Sequence, residues 1–286
     1  PLTNPTAHGA SAADAFHLVI PSLPGYGFSG KPTRVGWGPE RVARAWVELM
    51  KRLGYQKFVA QGGDWGALVV DLMGKHAAPE LLGIHTNLAA AVPSEIMRAI
   101  QAHAPLPSEL SSEERRQADK LSTLFGTGLG YAIEMATRPQ TLYGIVDSPI
   151  GLAAWLIDLG DGDAKPAAAI TAALQRNRSE SAKNELTRDD VLDNITLFWL
   201  TKTGLSSSRF YWENKLAFFE ASGVSVPVAV SVFPSEFYQP PRTWVERAYP
   251  RLIHYGQPEA GAHFPAWEQP ELFSAELRAG FRALRS

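Results

Sequence analysis

Phe58-Val59-Ala60-Gln61-Gly62-Gly63-Asp64-Trp65-Gly66-Ala67-Leu68-Val69-Val70-Asp71-Leu72-Met73 joins a short apolar run to a longer one through six residues that contain three glycines. The pattern is that of a strand turning abruptly into a helix, with a nucleophile at the apex of a Gly-x-nucleophile-x-Gly elbow. Small residues flank such an apex because the sharp turn strains it and leaves no room for neighbouring Cβ atoms; Gly62 and Gly66 are expected to meet that demand. Aspartate holds the place more often given to serine. A serine must lose its proton before it attacks, whereas a carboxylate with an ordinary pKa of roughly 3.9 is already an anion at neutral pH. Such a nucleophile suits displacement at saturated carbon and is poor at opening a peptide. A plain helix N-cap would account for Asp64 itself, but not for glycine on both sides, nor for a distant acid and histidine.

Working outward, Phe16-His17-Leu18-Val19-Ile20 reads as a buried strand ended by Pro21 and Pro24. Gly25-Tyr26-Gly27-Phe28-Ser29-Gly30 matches the dinucleotide-binding pattern letter for letter. A nucleotide site needs a helix opening inside the motif, and here Pro24, Pro32, Gly36, Gly38 and Pro39 delay any helix to about Pro39, so the match is taken as accidental. A helix is expected from Pro39 to Leu53, with Val42, Ala45, Trp46, Leu49, Met50 and Leu53 facing the core and Gly54 as its stop. Strands at 58–60 and 83–88 around the helix after Asp64 point to a parallel sheet. From 93 to 212 the periods are helical and broken by prolines, which reads as a helical lid. In it Asp147-Ser148-Pro149 marks a helix start, Thr187 to Asp190 a capping box, and Gly160-Asp161-Gly162-Asp163 an acidic turn lacking the other ligands of a calcium loop. The sheet resumes at 226–233 and 252–255, a helix spans 243–249, and 270–284 closes the chain.

The bounds from composition are mild. The chain has 286 residues, 27 basic against 29 acidic, a net charge of −2 and no cysteine. This excludes disulfides and thiolate catalysis and shows no footprint for nucleic acid or an anionic membrane. No apolar run approaches the ~20 residues that span a bilayer, and a soluble, cytoplasmic protein is expected. The start at Pro1, without an initiator methionine, reads as a piece of a longer protein.

An ester on Asp64 would have to be broken by activated water, which requires a base and an acid to orient it. Of the seven histidines, His263 in Gly261-Ala262-His263-Phe264-Pro265 follows the last strand, where the base of such a triad falls. His17, His85 and His254 lie in expected strands and read as core or edge residues; His8, His76 and His103 read as surface. For the acid, Glu236 after the strand at 226–233 leads, with Glu246 and Glu259 as competitors.

The stretches Pro24–Ser29, Gly63–Gly66, Asp147–Trp155, Ser207–Asn214, Phe233–Glu236 and His263–Leu272 resemble the microsomal-type epoxide hydrolases and their soluble bacterial relatives, over nearly the whole chain. The resemblance implies an α/β-hydrolase core at 1–92 and 213–286 with the helical lid at 93–212. It implies Asp64 as nucleophile, Glu236 and His263 as the water-activating pair, Tyr131 and Tyr211 as lid phenols on the epoxide oxygen, and the Trp65 N–H in the oxyanion hole. No cofactor or metal is called for. The family's His-Gly-x-Pro motif is absent, since His8-Gly9-Ala10-Ser11 lacks the proline, and a segment preceding Pro1 is expected to supply it with a central strand. The expected partners are a small apolar or aromatic epoxide, that N-terminal segment, and, left open, a second copy in a homodimer. A haloalkane dehalogenase, which would hold halide with indole or amide N–H groups, and a non-catalytic hydrolase-fold binding module are the rival readings.

Overall fold

The computed structural model describes residues 1–157, 165–175 and 186–285, with backbone alone over 165–169. The acidic turn at Gly160–Asp163 lies outside the described residues. Contacts group the chain into two compact units, one of Pro1–Ile20, Ala43–Ser122 and Ala217–Ser286, the other of Pro21–Val42 and Thr123–Leu216.

The first unit is built on a parallel sheet of β1 (Phe58–Gly62), β2 (Leu81–Thr86), β3 (Val228–Ser231) and β4 (Leu252–Gly256), in that spatial order. Every residue of β3 is buried, as the central strand of a parallel sheet covered on both faces must be. Successive strand side chains point to opposite faces. On one side Gly74 of α2 (Trp65–His76) comes so close to Ile84 that a Cβ would lie 3.3 Å from it. On the other, a Cβ at Gly280 of the helix Pro270–Phe281 would lie 2.7 Å from Ala229, whose register partner is His85. The two helices therefore cover opposite faces. Phe233, Phe273, Leu277 and Phe281 form a buried cluster on the second face, with Leu2, Phe16, Val59 and Leu284 packed against it.

α1 (Pro39–Arg52) starts where the prolines allow and stops at Gly54, whose φ of 85° is the left-handed conformation expected of a helix terminator. Leu53, expected on the core face, is 52 % exposed. α3 (Ser94–Gln101) and most of α4 (Ser112–Thr123) belong to the first unit. The second unit holds α5 (Gly130–Thr137), α6 (Leu142–Val146), α7 (Pro149–Ile157), α8 (Lys165–Gln175), α9 (Arg188–Thr201) and α10 (Gly204–Glu213). α7 opens at Pro149 as read from the sequence, and Thr187 and Asp190 form the expected capping box at α9. In the first unit α11 (Arg242–Ala248), α12 (Pro265–Glu268) and α13 (Pro270–Phe281) follow the strands.

Two expectations need correction. Phe16–Ile20 is extended but joins no ladder, and Leu18 and Ile20 are 45 % and 85 % exposed, so it is not a buried strand. A strand exists only by pairing, and among the described residues β1 pairs with β2 alone. Gly66 has open space where a Cβ would stand, so it is not the residue the elbow needs small. That residue is Gly62, whose Cβ would lie 2.0 Å from the Gly66 carbonyl oxygen. The dinucleotide-like stretch opens no helix. Within the second unit it packs on α10: Ser206 Oγ donates to the Gly25 carbonyl at 2.6 Å and Tyr26 Oη to that of Ser207 at 3.1 Å.

α2 carries one buried acid that sequence reading passed over. Asp71 is 1 % exposed, and burial pushes its pKa up to about 7 against the hydrogen bond that Tyr249 Oη donates to Oδ2 at 2.9 Å. With the folded pKa above the unfolded value, the folded chain holds this proton more tightly, so stability falls as pH rises from about 4 through about 7.

Two predictions follow from these contacts. Gly62→Ala should destabilise by about 3 kcal/mol or more, while Gly66→Ala should be neutral or gain up to ~1 kcal/mol, by urea unfolding; equal effects would contradict the close-approach account. Asp71→Asn should flatten the fall in unfolding free energy between pH 5 and 8 relative to wild type, and parallel curves would show that Asp71 titrates normally.

Candidate active site

β1 ends at Gly62, and after Gly63 the chain reverses at Asp64 with φ 49° and ψ −131° before α2 begins at Trp65. A residue other than glycine in that conformation costs on the order of 1–3 kcal/mol and persists only where its surroundings impose it. Gly62 against Gly66 and Gly63 against Asn87 leave the chain no other path.

The turn aims the Asp64 carboxylate at two donors. Oδ1 accepts from the Trp65 N–H, and Oδ2 accepts from His263 Nε2 at 2.9 Å. His263 stands in the loop between β4 and α12, and its Nδ1 meets Glu236 Oε1 at 2.8 Å. Glu236, on the loop after β3, is 5 % exposed and is held in place by the Phe237 N–H, which donates to the same Oε1 at 2.8 Å. The rings of Phe237 and Phe264 lie 4.3 and 4.5 Å from that of His263. The competing acids stay away: Glu246 is exposed and paired with Arg242 on α11, and Glu259 is exposed.

The electrostatics follow from this chain of contacts. Burial would pull the His263 pKa down, yet the Glu236 charge and the hydrogen bonds to Asp64 and Glu236 lift it to about 10. Burial would likewise raise Asp64, but the His263 hydrogen bond and charge and the Trp65 N–H hold it below the usual carboxylate range. The contacts with Asp64 and Glu236 thus favour the protonated form of the His263 ring.

The sequence-identified phenols stand together in the second unit. Tyr131 on α5 and Tyr211 on α10 meet edge to face, with ring centroids 6.1 Å apart. Within the first unit the Trp65 ring meets that of Phe218 at 5.1 Å. His85 is a core residue on β2 and His254 a half-buried one on the edge strand β4, bridged by Ser231 and Glu276, while His17 is exposed. Sequence reading missed Asn87, which follows β2 directly after the polar His85 and Thr86 and carries no local signal. Among the described residues no group of three or more His, Cys, Asp or Glu could hold a metal ion, and no helix is long and apolar enough to cross a membrane.

No family model matches the chain. It is 44 % identical, over all 286 of its residues, to a protein of Stigmatella aurantiaca (strain DW4/3-1) provisionally named as an epoxide hydrolase, of which it spans 60 %. It is 32 % identical to epoxide hydrolase 1 of Oryctolagus cuniculus, with 96 % of the chain and 62 % of the relative covered. The crystal structure of juvenile hormone epoxide hydrolase from the silkworm Bombyx mori superposes with a TM-score of 0.70 at 31 % identity, covering 93 % of this chain and 64 % of that one. The chain thus spans about three fifths of the length of the relatives it matches. It is homologous to these epoxide hydrolases and shares their α/β-hydrolase fold.

Proposed function

We propose that this chain carries the catalytic machinery of an epoxide hydrolase, which adds water to an epoxide to give a vicinal diol. The observation that carries the reading is the Asp64–His263–Glu236 chain, with a carboxylate rather than a hydroxyl at the elbow. Asp64 Oδ2 attacks an oxirane carbon, and the C–O bond that breaks leaves an alkoxide. Tyr131 and Tyr211 donate to that oxygen as its charge develops. One phenol passes its proton to the alkoxide and regains one from solvent, so the product of this step is a hydroxyalkyl ester of Asp64. Esterification removes the Asp64 charge, so the His263 ring keeps only one of its two carboxylates and its protonated form loses support. The ring then releases its proton to solvent and, neutral, with Glu236 holding Nδ1, takes a proton from water at Nε2. Hydroxide then adds to Cγ, the Trp65 N–H holds the oxyanion on Oδ1, and collapse breaks the Cγ–Oδ2 bond; the leaving alkoxide takes the proton from His263 and departs as the diol, and the new Asp64 carboxyl returns a proton to the ring.

The substrate class proposed is a small apolar or aromatic epoxide. Trp65, Phe218 and Phe237 are at or near the nucleophile and base, and Phe264, 49 % exposed, adds a further ring beside His263. The open edge of β1 supports a further proposal, that an extended segment joins the sheet there beside Phe16–Ile20; a second copy of the chain is the other occupant that would satisfy the edge. Nuclear Overhauser contacts showing Phe16–Ile20 paired directly with β1, in a stable and active chain, would rule it out.

Two kinetic predictions bear on the mechanism. His263→Gln should form the ester on Asp64 but release it slowly, so an adduct on the Asp64 peptide should accumulate and be seen by mass spectrometry; no adduct in a folded variant would remove the covalent route. Tyr211→Phe should slow ester formation by about 10²-fold, the worth of one oxyanion donor, and the double variant with Tyr131→Phe should nearly abolish it. An unchanged rate in Tyr211→Phe, together with release of chloride from a chloroalkane, would favour the dehalogenase reading.

A further inference from the structure

β2 ends at Thr86, and the next residue stands between the loops that carry the nucleophile and the base. Asn87 is 5 % exposed, and a buried primary amide must find partners for its carbonyl and its N–H groups or forfeit their hydration. Its Oδ1 accepts from Gln61 Nε2 at 3.0 Å. Its Nδ2 donates to the His263 carbonyl over a long 3.5 Å, and its own backbone N–H to the Gly62 carbonyl at 3.4 Å. The amide also lies flat on the elbow: a Cβ at Gly63 would come within 2.6 Å of Oδ1 and 2.8 Å of Nδ2. One side chain thus touches the residue preceding Asp64 and the main chain of His263, and it touches no reacting atom.

The two sides of this contact are unequally supported. The elbow is also fixed by the ladder, where Gly62 pairs with Thr86, and by the start of α2. The His263 loop lacks a ladder: Ser235 N donates to the Gly261 carbonyl at 3.1 Å, the Phe264 N–H donates to Glu268 Oε1 at 2.9 Å, and the next turn opens with Trp267 N on the Phe264 carbonyl at 2.9 Å. Removing the amide should therefore release the base more than the nucleophile.

We propose that Asn87, oriented by Gln61, is a positioning residue that braces the His263 loop against the elbow and so sets the Nε2 to Oδ2 contact between His263 and Asp64. An amide is the group this place demands. Aspartate would set a carboxylate against the His263 carbonyl, and leucine would leave both Gln61 and that carbonyl unpartnered.

The decisive test needs no substrate and so does not depend on the epoxide reading. The His263 ring, faced by Asp64 at Nε2, Glu236 at Nδ1 and the apolar rings of Phe237 and Phe264, is followed by NMR against pH in protein with labelled histidine. In the wild type the ring should hold its proton up to about pH 10. Asn87→Ala should lower the midpoint by about one pH unit, since the hydrogen bond to Asp64 loosens. Gln61→Met changes an exposed residue, so folding is not at stake, and should shift the midpoint the same way by less. With styrene oxide as probe, ester hydrolysis in both variants should slow by about tenfold or more in Asn87→Ala and less in Gln61→Met, while ester formation changes little. A merely structural role would lower the melting temperature and leave the titration unmoved. An unaltered His263 midpoint in folded Asn87→Ala, or in Gln61→Met should the first variant fail to fold, overturns the proposal; a wild type that forms no ester removes the epoxide reading and leaves the titration to decide this one.

Discussion

The structure turns on one electrostatic arrangement, a single imidazole ring held between two carboxylates. Neither carboxylate is close to the ring in sequence: His263 follows Asp64 by 199 residues and Glu236 by 27. A parallel sheet makes the meeting geometric rather than fortuitous. All its strands end on one edge, so the loops after β1, β3 and β4 present Asp64, Glu236 and His263 to one another, with Asn87 after β2 between them. The strained backbone of Asp64 is the local cost of aiming a carboxylate off that edge, and the close approach of Gly62 to Gly66 is what enforces it.

The same arrangement explains how one group of residues would serve two opposed steps. While Asp64 is anionic, the ring is stabilised as a cation and Asp64 is kept ionised, which suits a nucleophile. Once Asp64 is esterified, the cation loses half its support, which suits a base. Asp71, seven residues on and within α2, shows what happens without a cation: burial raises its pKa to about 7. The N-cap acid Asp64 and the buried Asp71 about two turns on are driven in opposite directions, the first by its contacts with His263 and the Trp65 N–H, the second by burial.

How much of this was legible in the sequence follows from which constraints are local. The elbow was, because strand, glycine and helix signals are adjacent and because Asp64 in that frame has a chemical consequence. The helix stop at Gly54, the start at Pro149 and the capping box at Thr187 were legible for the same reason. Glu236 could be ranked above Glu246 and Glu259 only by strand order, and its 2.8 Å contact with His263 needed coordinates. Pairing is non-local, so Phe16–Ile20, apolar enough to read as a strand, turned out to have none. Gly66 was credited with a role belonging to Gly62, since flanking position is visible in sequence and carbonyl proximity is not. Asn87 and the packing of Gly25 and Tyr26 on α10 depend on residues 176 or more positions apart, and no local pattern announces them.

The most direct test of the central claim, that Asp64 attacks carbon rather than activating water, is a single turnover in heavy-oxygen water with protein in excess over an epoxide. On this account the oxygen entering the diol comes from the Asp64 carboxylate, and solvent oxygen enters that carboxylate when the ester is cleaved. The peptide containing Asp64 should gain the label and the diol should remain largely unlabelled. Label in the diol at the first turnover, with an unlabelled Asp64 peptide, would mean that water attacks directly and that Asp64 is a base.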